Sequence, residues 1–124
     1  MSLFYIALFG ALGCLSRHLA SGWAYALLGR GLPYGTLVVN LAGSFLLGVV
    51  MEGALRTSWL SADVRLGIAA GFMGGFTTFS TFSYETVRLL EEGSLMQAGA
   101  NIFLNVTVCL LCAALGIYAA RQLF

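Results

Sequence analysis

The chain has very little charge. Only 9% of its 124 residues are Asp, Glu, Lys or Arg, it contains no lysine, and 60% are hydrophobic. About a quarter of the residues of a typical soluble domain are charged, so this composition excludes a soluble protein. It predicts an integral membrane protein whose surroundings are the lipid bilayer, and we expect no nucleic-acid partner.

Proline, histidine and cysteine are also scarce. Pro33, the only proline, lies where a second helix should begin, a position that proline tolerates. His18 is the only histidine and the acids are scattered, so no nucleophile has a base beside it and we predict no enzyme. The cysteines, Cys14, Cys109 and Cys112, lie inside predicted spans without histidines or acids. They predict neither a metal site nor a disulfide framework.

The charged residues fall at intervals that match the ends of membrane spans. The hydrophobic stretches between them predict helices near residues 3–28, 34–55, 62–90 and 95–121. A span needs about 20 apolar residues, so the chain has room for four spans and for no soluble domain. We therefore predict an all-α membrane protein with a single four-helix transmembrane domain, residues 1–124.

The arginines are almost evenly divided between the two predicted sides of the membrane. They are Arg56, Arg65 and Arg121 on the side of the termini, and Arg30 and Arg88 on the other side. An excess of basic residues on one side orients a membrane protein, so this near-balance leaves dual topology and a single orientation set by insertion order both open. Four small helices leave little room for an internal pathway, so we expect an oligomer, and dual topology would allow an antiparallel homodimer.

Residues 71–85, Gly-Phe-Met-Gly-Gly-Phe-Thr-Thr-Phe-Ser-Thr-Phe-Ser-Tyr-Glu, interrupt the third predicted helix. Each glycine of the pair Gly74 and Gly75 weakens a helix by about 1 kcal/mol. A broken helix persists in hydrocarbon only where its freed backbone groups are buried in protein or line a polar cavity. We predict that the third helix is broken mid-membrane at this glycine pair, and that the break marks a functional site.

The residues after the glycine pair combine phenyl rings with hydroxyl groups. Phe76, Phe79 and Phe82 recur at every third position, with five Ser or Thr residues in the segment 77–83. The positive edge of a phenyl ring can stabilise a small desolvated anion without a fixed positive charge. Backbone carbonyls freed by a helix break suit a hard cation such as sodium. The segment therefore predicts sites for an anion, a cation or both.

Two other predicted helices carry polar side chains at intervals of four residues. Thr36, Asn40 and Ser44 form one such stripe, and Asn101 and Asn105 form another. Each stripe has a plainer interpretation as helix pairing, since an interhelical hydrogen bond in a membrane contributes about 0.6 to 2 kcal/mol. Together with the Phe row, the stripes favour a polar track for an ion.

The sequence resembles the bacterial Fluc/CrcB fluoride channels. The resemblance rests on Gly-Thr-Leu-Val-Val-Asn-Leu-Ala-Gly-Ser-Phe at 35–45 and on the segment 71–85, and an early Gly-x-x-x-Arg at 13–17 and Ala-Ala-Leu-Gly at 113–116 extend it. It implies an antiparallel dual-topology homodimer, with two pores that export fluoride passively through the bacterial inner membrane.

The resemblance also implies roles for individual residues along the fluoride pore. Phe79 and Phe82 match the ring pair, and Asn40 matches the pore-lining amide. Further polar contacts of the pore are implied for Thr36, Ser80 and Glu85 by the match, and for Asn101 and Asn105 at positions where many members have an aromatic and a hydroxyl residue.

Two further roles concern ions outside the narrow part of the pore. Arg17 resembles the family's vestibule arginine, although a plainer interpretation is that it snorkels to the interface. The backbone carbonyls of Gly74 and Thr77 resemble those that, from both subunits, hold a structural sodium ion at the dimer centre.

Two other functions remain open at this point. A small dual-topology multidrug/proton antiporter would share the size and topology but needs a carboxylate within the membrane, and the acids Glu52 and Glu85 lie toward span ends. A scaffold subunit without transport activity would account for the small residues at intervals of four, which let membrane helices pack closely, namely Ser44 and Gly48, and Gly67, Gly71 and Gly75. It would not account for the buried Asn, Phe and hydroxyl pattern.

Overall fold

The computed structural model describes residues 1–124 as helices joined by short connections, with no β-strand. Five helices follow one another: α1 Ser2–Leu28, α2 Tyr34–Arg56, α3 62–76, α4 Phe79–Glu91 and α5 Leu95–Leu123. Stretches of π-helix occur within α3 at Gly67–Met73 and within α5 at Leu104–Val108. The first, second and last helices begin and end within two residues of the predicted bounds, and the third predicted helix is two helices.

The surface of the chain is that of a membrane protein. Three helices, α1, α2 and α5, are long and apolar enough to span a bilayer. Only 21 of 124 residues are buried, and large apolar side chains such as Leu19 and Trp23 face outward. A helix that is apolar on its exposed side is stable in lipid rather than in water. The chain is therefore a multi-pass membrane protein.

Helix α3 runs alongside α1, whereas α4 packs mainly against the start of α5. Near the start of α3, a Cβ atom added at Gly67 would lie 2.8 Å from the Tyr5 Cβ atom. At the middle of α4, Glu85 accepts a hydrogen bond of 3.1 Å from the Tyr25 hydroxyl near the end of α1. Each of the two helices is too short to span alone.

Glycines allow the helices to approach closely. A Cβ atom at Gly71 would lie 2.7 Å from the Ile6 carbonyl oxygen, and one at Gly75 would lie 2.7 Å from the Gly10 carbonyl oxygen. Helices α2 and α5 also approach closely at a glycine, since a Cβ atom at Gly48 would lie 2.5 Å from the carbonyl oxygen of Ala113. At these three glycines the helices meet backbone to backbone, and larger side chains would separate them.

The predicted position of the helix break is wrong by about two residues. Gly74 has helical dihedral angles (φ −62°, ψ −38°), and the helix continues to Phe76. The chain instead becomes extended at Thr77 (φ −94°, ψ 160°) and Thr78 (φ −153°, ψ 115°). Gly75 is a packing residue against α1, so this glycine marks a close helix contact rather than the end of the helix.

Candidate functional site

The extended segment Thr77–Thr78 separates α3 from α4 and is held by one side chain of α2. The side-chain amide nitrogen of Asn40 donates to the Thr78 backbone carbonyl oxygen (3.1 Å), and the Thr78 N–H donates to the side-chain amide oxygen of Asn40 (2.8 Å). These two bonds replace the helical hydrogen bonds that the break removes, as buried backbone groups require. Asn40 therefore closes the gap between the two half-helices.

Thr78 also begins α4. Its hydroxyl accepts from the Thr81 N–H (3.2 Å) and donates to the Thr81 hydroxyl (2.9 Å), and it lies 3.4 Å from the Ser80 hydroxyl. A Thr side chain that accepts from the third residue of a helix is a regular N-cap. The hydroxyl-rich sequence thus forms a compact polar start of α4, with Ser80 exposed.

Three asparagines continue from the break into a chain of hydrogen bonds. Asn40 donates to the Asn105 side-chain oxygen (2.9 Å), Asn105 donates to the Asn101 side-chain oxygen (2.9 Å), and Asn101 donates to Thr86 (2.9 Å). Thr86 in turn donates to the Phe82 carbonyl oxygen (2.8 Å). We call Asn40, Asn105 and Asn101 the amide chain. It connects α2 and α5 to Thr78 at the start of α4 and to Thr86 about two turns later.

The direction of the amide chain is fixed by the backbone. The Thr78 N–H can only donate, so Asn40 must present its oxygen to it, and every later amide is then oriented by the previous one. Both N–H donors of Asn40 are used, one on Thr78 and one on Asn105. Both donors of Asn105 are used as well, on the carbonyl and side-chain oxygens of Asn101.

A groove of about 480 Å³ lies beside the break. It brings together six of the residues singled out in the sequence, namely Asn40, Gly74, Thr77, Phe79, Phe82 and Asn105. The rings of Phe79 and Phe82 lie 5.3 Å apart at an angle of 56°, and Phe79 is 74% exposed whereas Phe82 is 7% exposed. The groove is lined by phenyl rings, aliphatic side chains such as Leu47 and Val106, amides and hydroxyl residues, and by no charged side chain.

The break also frees two backbone carbonyls at the groove. The Thr78 N–H, which would ordinarily bond the Gly74 carbonyl, donates to Asn40, and the Thr81 N–H, which would ordinarily bond the Thr77 carbonyl, donates to Thr78 Oγ1. No cluster of three or more His, Cys, Asp or Glu side chains that could hold a metal ion exists in the chain. A hard cation would therefore find its ligands on the backbone rather than on side chains.

Glu85 lies at a second site, at the middle of α4. Its Oε2 atom accepts from the Tyr25 hydroxyl of α1, and the Arg30 guanidinium carbon lies 4.3 Å from the centre of the Tyr25 ring. These three residues, which we call the Glu85 corner, border a cavity of about 270 Å³ that Pro33 and Arg88 also line. The cavity contains both positive and negative charge, unlike the groove.

The other predicted site residues lie apart from the groove. Thr36 is 4% exposed, and Asn101 is 1% exposed and bonded within the amide chain. Arg17 is half-buried and takes part in neither of the two ion pairs of the chain. The roles of these residues in ion passage stay predictions.

Two contacts were not predicted from the sequence. Tyr25 holds Glu85 across 60 positions of the chain, and Thr86 connects the amide chain to the backbone of α4. The position of Thr86 could have been predicted, because a residue four positions after Phe82 lies on the same face of the helix. The contact of Tyr25 could not have been predicted, since a tyrosine near a span end is ordinary in any membrane helix.

Comparison with known proteins identifies the family. Residues 4–117 match the family described as CrcB-like protein, Camphor Resistance (CrcB). A relative from Syntrophotalea carbinolica, named fluoride-specific ion channel FluC, is 71% identical over 123 residues, covering 99% of this chain and all of the relative. Relatives with the same name from Geobacter metallireducens and Geobacter sulfurreducens are 58% and 56% identical, each over 95% of both chains.

These relatives are ion channels by name rather than enzymes, in agreement with the absence of a catalytic constellation from the sequence. The match runs over nearly the whole chain and includes both the Thr77–Thr78 break and the amide chain. The protein therefore belongs to the CrcB family.

Proposed function

We propose that this protein is a fluoride-selective ion channel that exports cytoplasmic fluoride passively through the bacterial inner membrane. The observation that carries the proposal is the Phe79–Phe82 ring pair in an uncharged groove beside the Thr77–Thr78 break. The three relatives named fluoride-specific ion channel support it.

The chemistry of the groove suits a small anion that must also leave. The positive edges of phenyl rings and neutral hydroxyl groups stabilise a desolvated anion weakly, and conduction requires such weak binding. The amide nitrogens of Asn40 and Asn105 have no free N–H, so in this arrangement they shape the path and the rings of Phe79 and Phe82 contact the ion.

The proposal includes an antiparallel homodimer of four-span subunits, in which α3 and α4 together make the third crossing. The groove is open in one chain, Phe79 is 74% exposed, and nothing lies within 4 Å of a Cβ atom placed at Gly74. A second copy facing this groove would enclose the ring pair and complete a pore. The antiporter alternative has no support, because no carboxylate lines the groove and Glu52 is paired with Arg121 at 2.9 Å.

The function is tested by efflux from liposomes that contain the purified protein. Fluoride and chloride electrodes are read in parallel, and a potassium ionophore balances charge. We expect rapid fluoride loss with chloride retained, because chloride is larger and the groove offers it no compensating charge. Retention of both ions by demonstrably dimeric protein would refute the channel, and proton release driven by a cationic drug would favour the antiporter.

We also propose a structural sodium ion held by the Gly74 and Thr77 carbonyls of both subunits. The freed carbonyls fit this role because sodium is a hard cation that prefers neutral oxygen ligands. Two carbonyls from each chain give four oxygens around a two-fold axis, and no side-chain carboxylate is required.

Sodium removal provides a prediction for this site. Raising sodium to about 100 times its Kd should stabilise the dimer by about 2.7 kcal/mol, whereas exchange into a bulky organic cation should weaken the dimer and lower fluoride flux. Dimer content by cross-linking and flux from liposomes would be measured in the same buffers, with potassium as the matched cation. An unchanged dimer and unchanged flux without sodium would contradict the site.

A further inference from the structure

Tyr25 is fixed from three sides. Its hydroxyl donates to Glu85 Oε2 at 3.1 Å, and Arg30 stacks on its ring at 4.3 Å. On the α2 side, a Cβ atom at Gly35 would lie 2.8 Å from the Tyr25 Cδ2 atom, so the ring packs directly on the α2 backbone. A side chain confined in this way presents its hydroxyl in one direction only.

The position of the Glu85 carboxylate depends on the Tyr25 hydroxyl. Its other oxygen, Oε1, is buried without any hydrogen-bond partner. A carboxylate with a single hydrogen bond is poorly compensated, and that bond decides where the group lies. Glu85 follows Phe79 and Phe82 at intervals of three residues along α4, so a released carboxylate can turn back toward the ring pair.

The charges around Glu85 come from three elements. Besides Glu85, the cavity at the Glu85 corner is lined by the titratable or charged residues Tyr25 of α1, Arg30 of the α1–α2 connection, Tyr84 and Arg88 of α4, and Glu92 directly after α4. Arg88 lies 3.5 Å from Glu91. Arg30 is therefore the cation that remains available near the carboxylate, and it reaches this position by stacking on the Tyr25 ring.

We propose that Tyr25 is a positioning residue for Glu85: with Arg30 on its ring, it holds the carboxylate against α1 and away from the path of the ion along Phe79 and Phe82. This inference rests on the proposed fluoride conduction. A negative charge left free near that path would repel an approaching anion, so the contact keeps the pore mouth open to fluoride.

Tyr25→Phe tests the inference because it keeps the ring that Arg30 covers and removes only the hydroxyl. We expect fluoride flux at neutral pH to fall about tenfold, which corresponds to the loss of one hydrogen bond to a charged group. Leakage of hydrogen fluoride in protein-free vesicles is subtracted.

Two further variants separate positioning from a structural effect. In a Glu85→Gln background, Tyr25→Phe should cause no additional loss, since no charge remains to be held. Tyr118→Phe is the matched control, because it removes the hydroxyl of an exposed tyrosine that makes no hydrogen bond, and its flux should equal that of wild type.

The outcomes are distinct from those of the channel proposal. Absence of fluoride flux in wild type refutes the channel itself. Wild-type flux in the Tyr25→Phe variant overturns the positioning role. A loss in Tyr25→Phe that Glu85→Gln does not suppress also overturns it, because that pattern indicates a packing defect.

Discussion

Replacing Phe79 or Phe82 by Ile is expected to lower fluoride flux by about tenfold or more while leaving the dimer intact. Isoleucine retains an apolar side chain but has no ring edge to present to an anion. Interactions that depend on ring geometry contribute about 0.5 to 1.5 kcal/mol, and about 1.4 kcal/mol corresponds to a factor of ten. Flux is measured by electrode in liposomes, and the dimer by size-exclusion chromatography in detergent.

The two variants should differ in stability. Phe79 is 74% exposed, so its substitution removes little buried surface, whereas Phe82 is 7% exposed and its replacement should also lower the free energy of unfolding by about 1 to 3 kcal/mol. Phe103→Ile, on the outer face of α5 where Phe103 is 60% exposed, is the matched control. Wild-type flux in both Phe79→Ile and Phe82→Ile would refute the ring-edge mechanism.

Replacing Asn40 by Ala is expected to abolish fluoride flux and to destabilise the fold. The change leaves the Thr78 N–H, the Thr78 carbonyl and the Asn105 side-chain oxygen without their partner. Each buried polar group without a partner costs about 1 to 3 kcal/mol, so the free energy of unfolding should fall by about 3 kcal/mol or more. The start of α4 is then no longer fixed, and Phe79 with it.

Asn40→Asp separates the two effects. Aspartate can still accept from the Thr78 N–H, so it should destabilise less than alanine, but its charge in the uncharged groove repels an anion and should also suppress flux. Thermal unfolding in detergent and liposome flux would be compared with Thr107→Val, at an exposed position of α5. Flux equal to wild type in a dimeric Asn40→Ala protein would instead favour a scaffold without transport activity.

The helices were predictable because their ends are marked by residues with simple physical roles. Pro33 precedes α2 and Ser61 caps α3. The lengths of the hydrophobic stretches indicate the other helix ends. The position of the break was not predictable from glycine propensity. Gly75 is helical because a close contact with Gly10 of α1 outweighs its intrinsic preference, a contact that only the folded chain shows.

The site was predictable as a set of residue types but not as a set of contacts. Spacing placed Asn101 and Asn105 on one face of α5, and Asn40 on a polar face of α2. Spacing could not show that Asn40 bonds to Asn105, since the two residues lie 65 positions apart along the chain. The same limit applies to Tyr25 and Glu85, because nothing in the sequence around either residue indicates that the two are in contact.

The amide chain also determines what the protein does not carry. Asn40, Asn105 and Asn101 hold their hydrogens covalently and do not ionise at physiological pH, so the chain cannot pass a proton from one member to the next as linked waters or a row of carboxyl and histidine groups can. In the proposed channel, a path walled by such groups offers no proton wire across the membrane. Fluoride would therefore cross as the anion, and its movement would follow the membrane potential without a proton travelling alongside it.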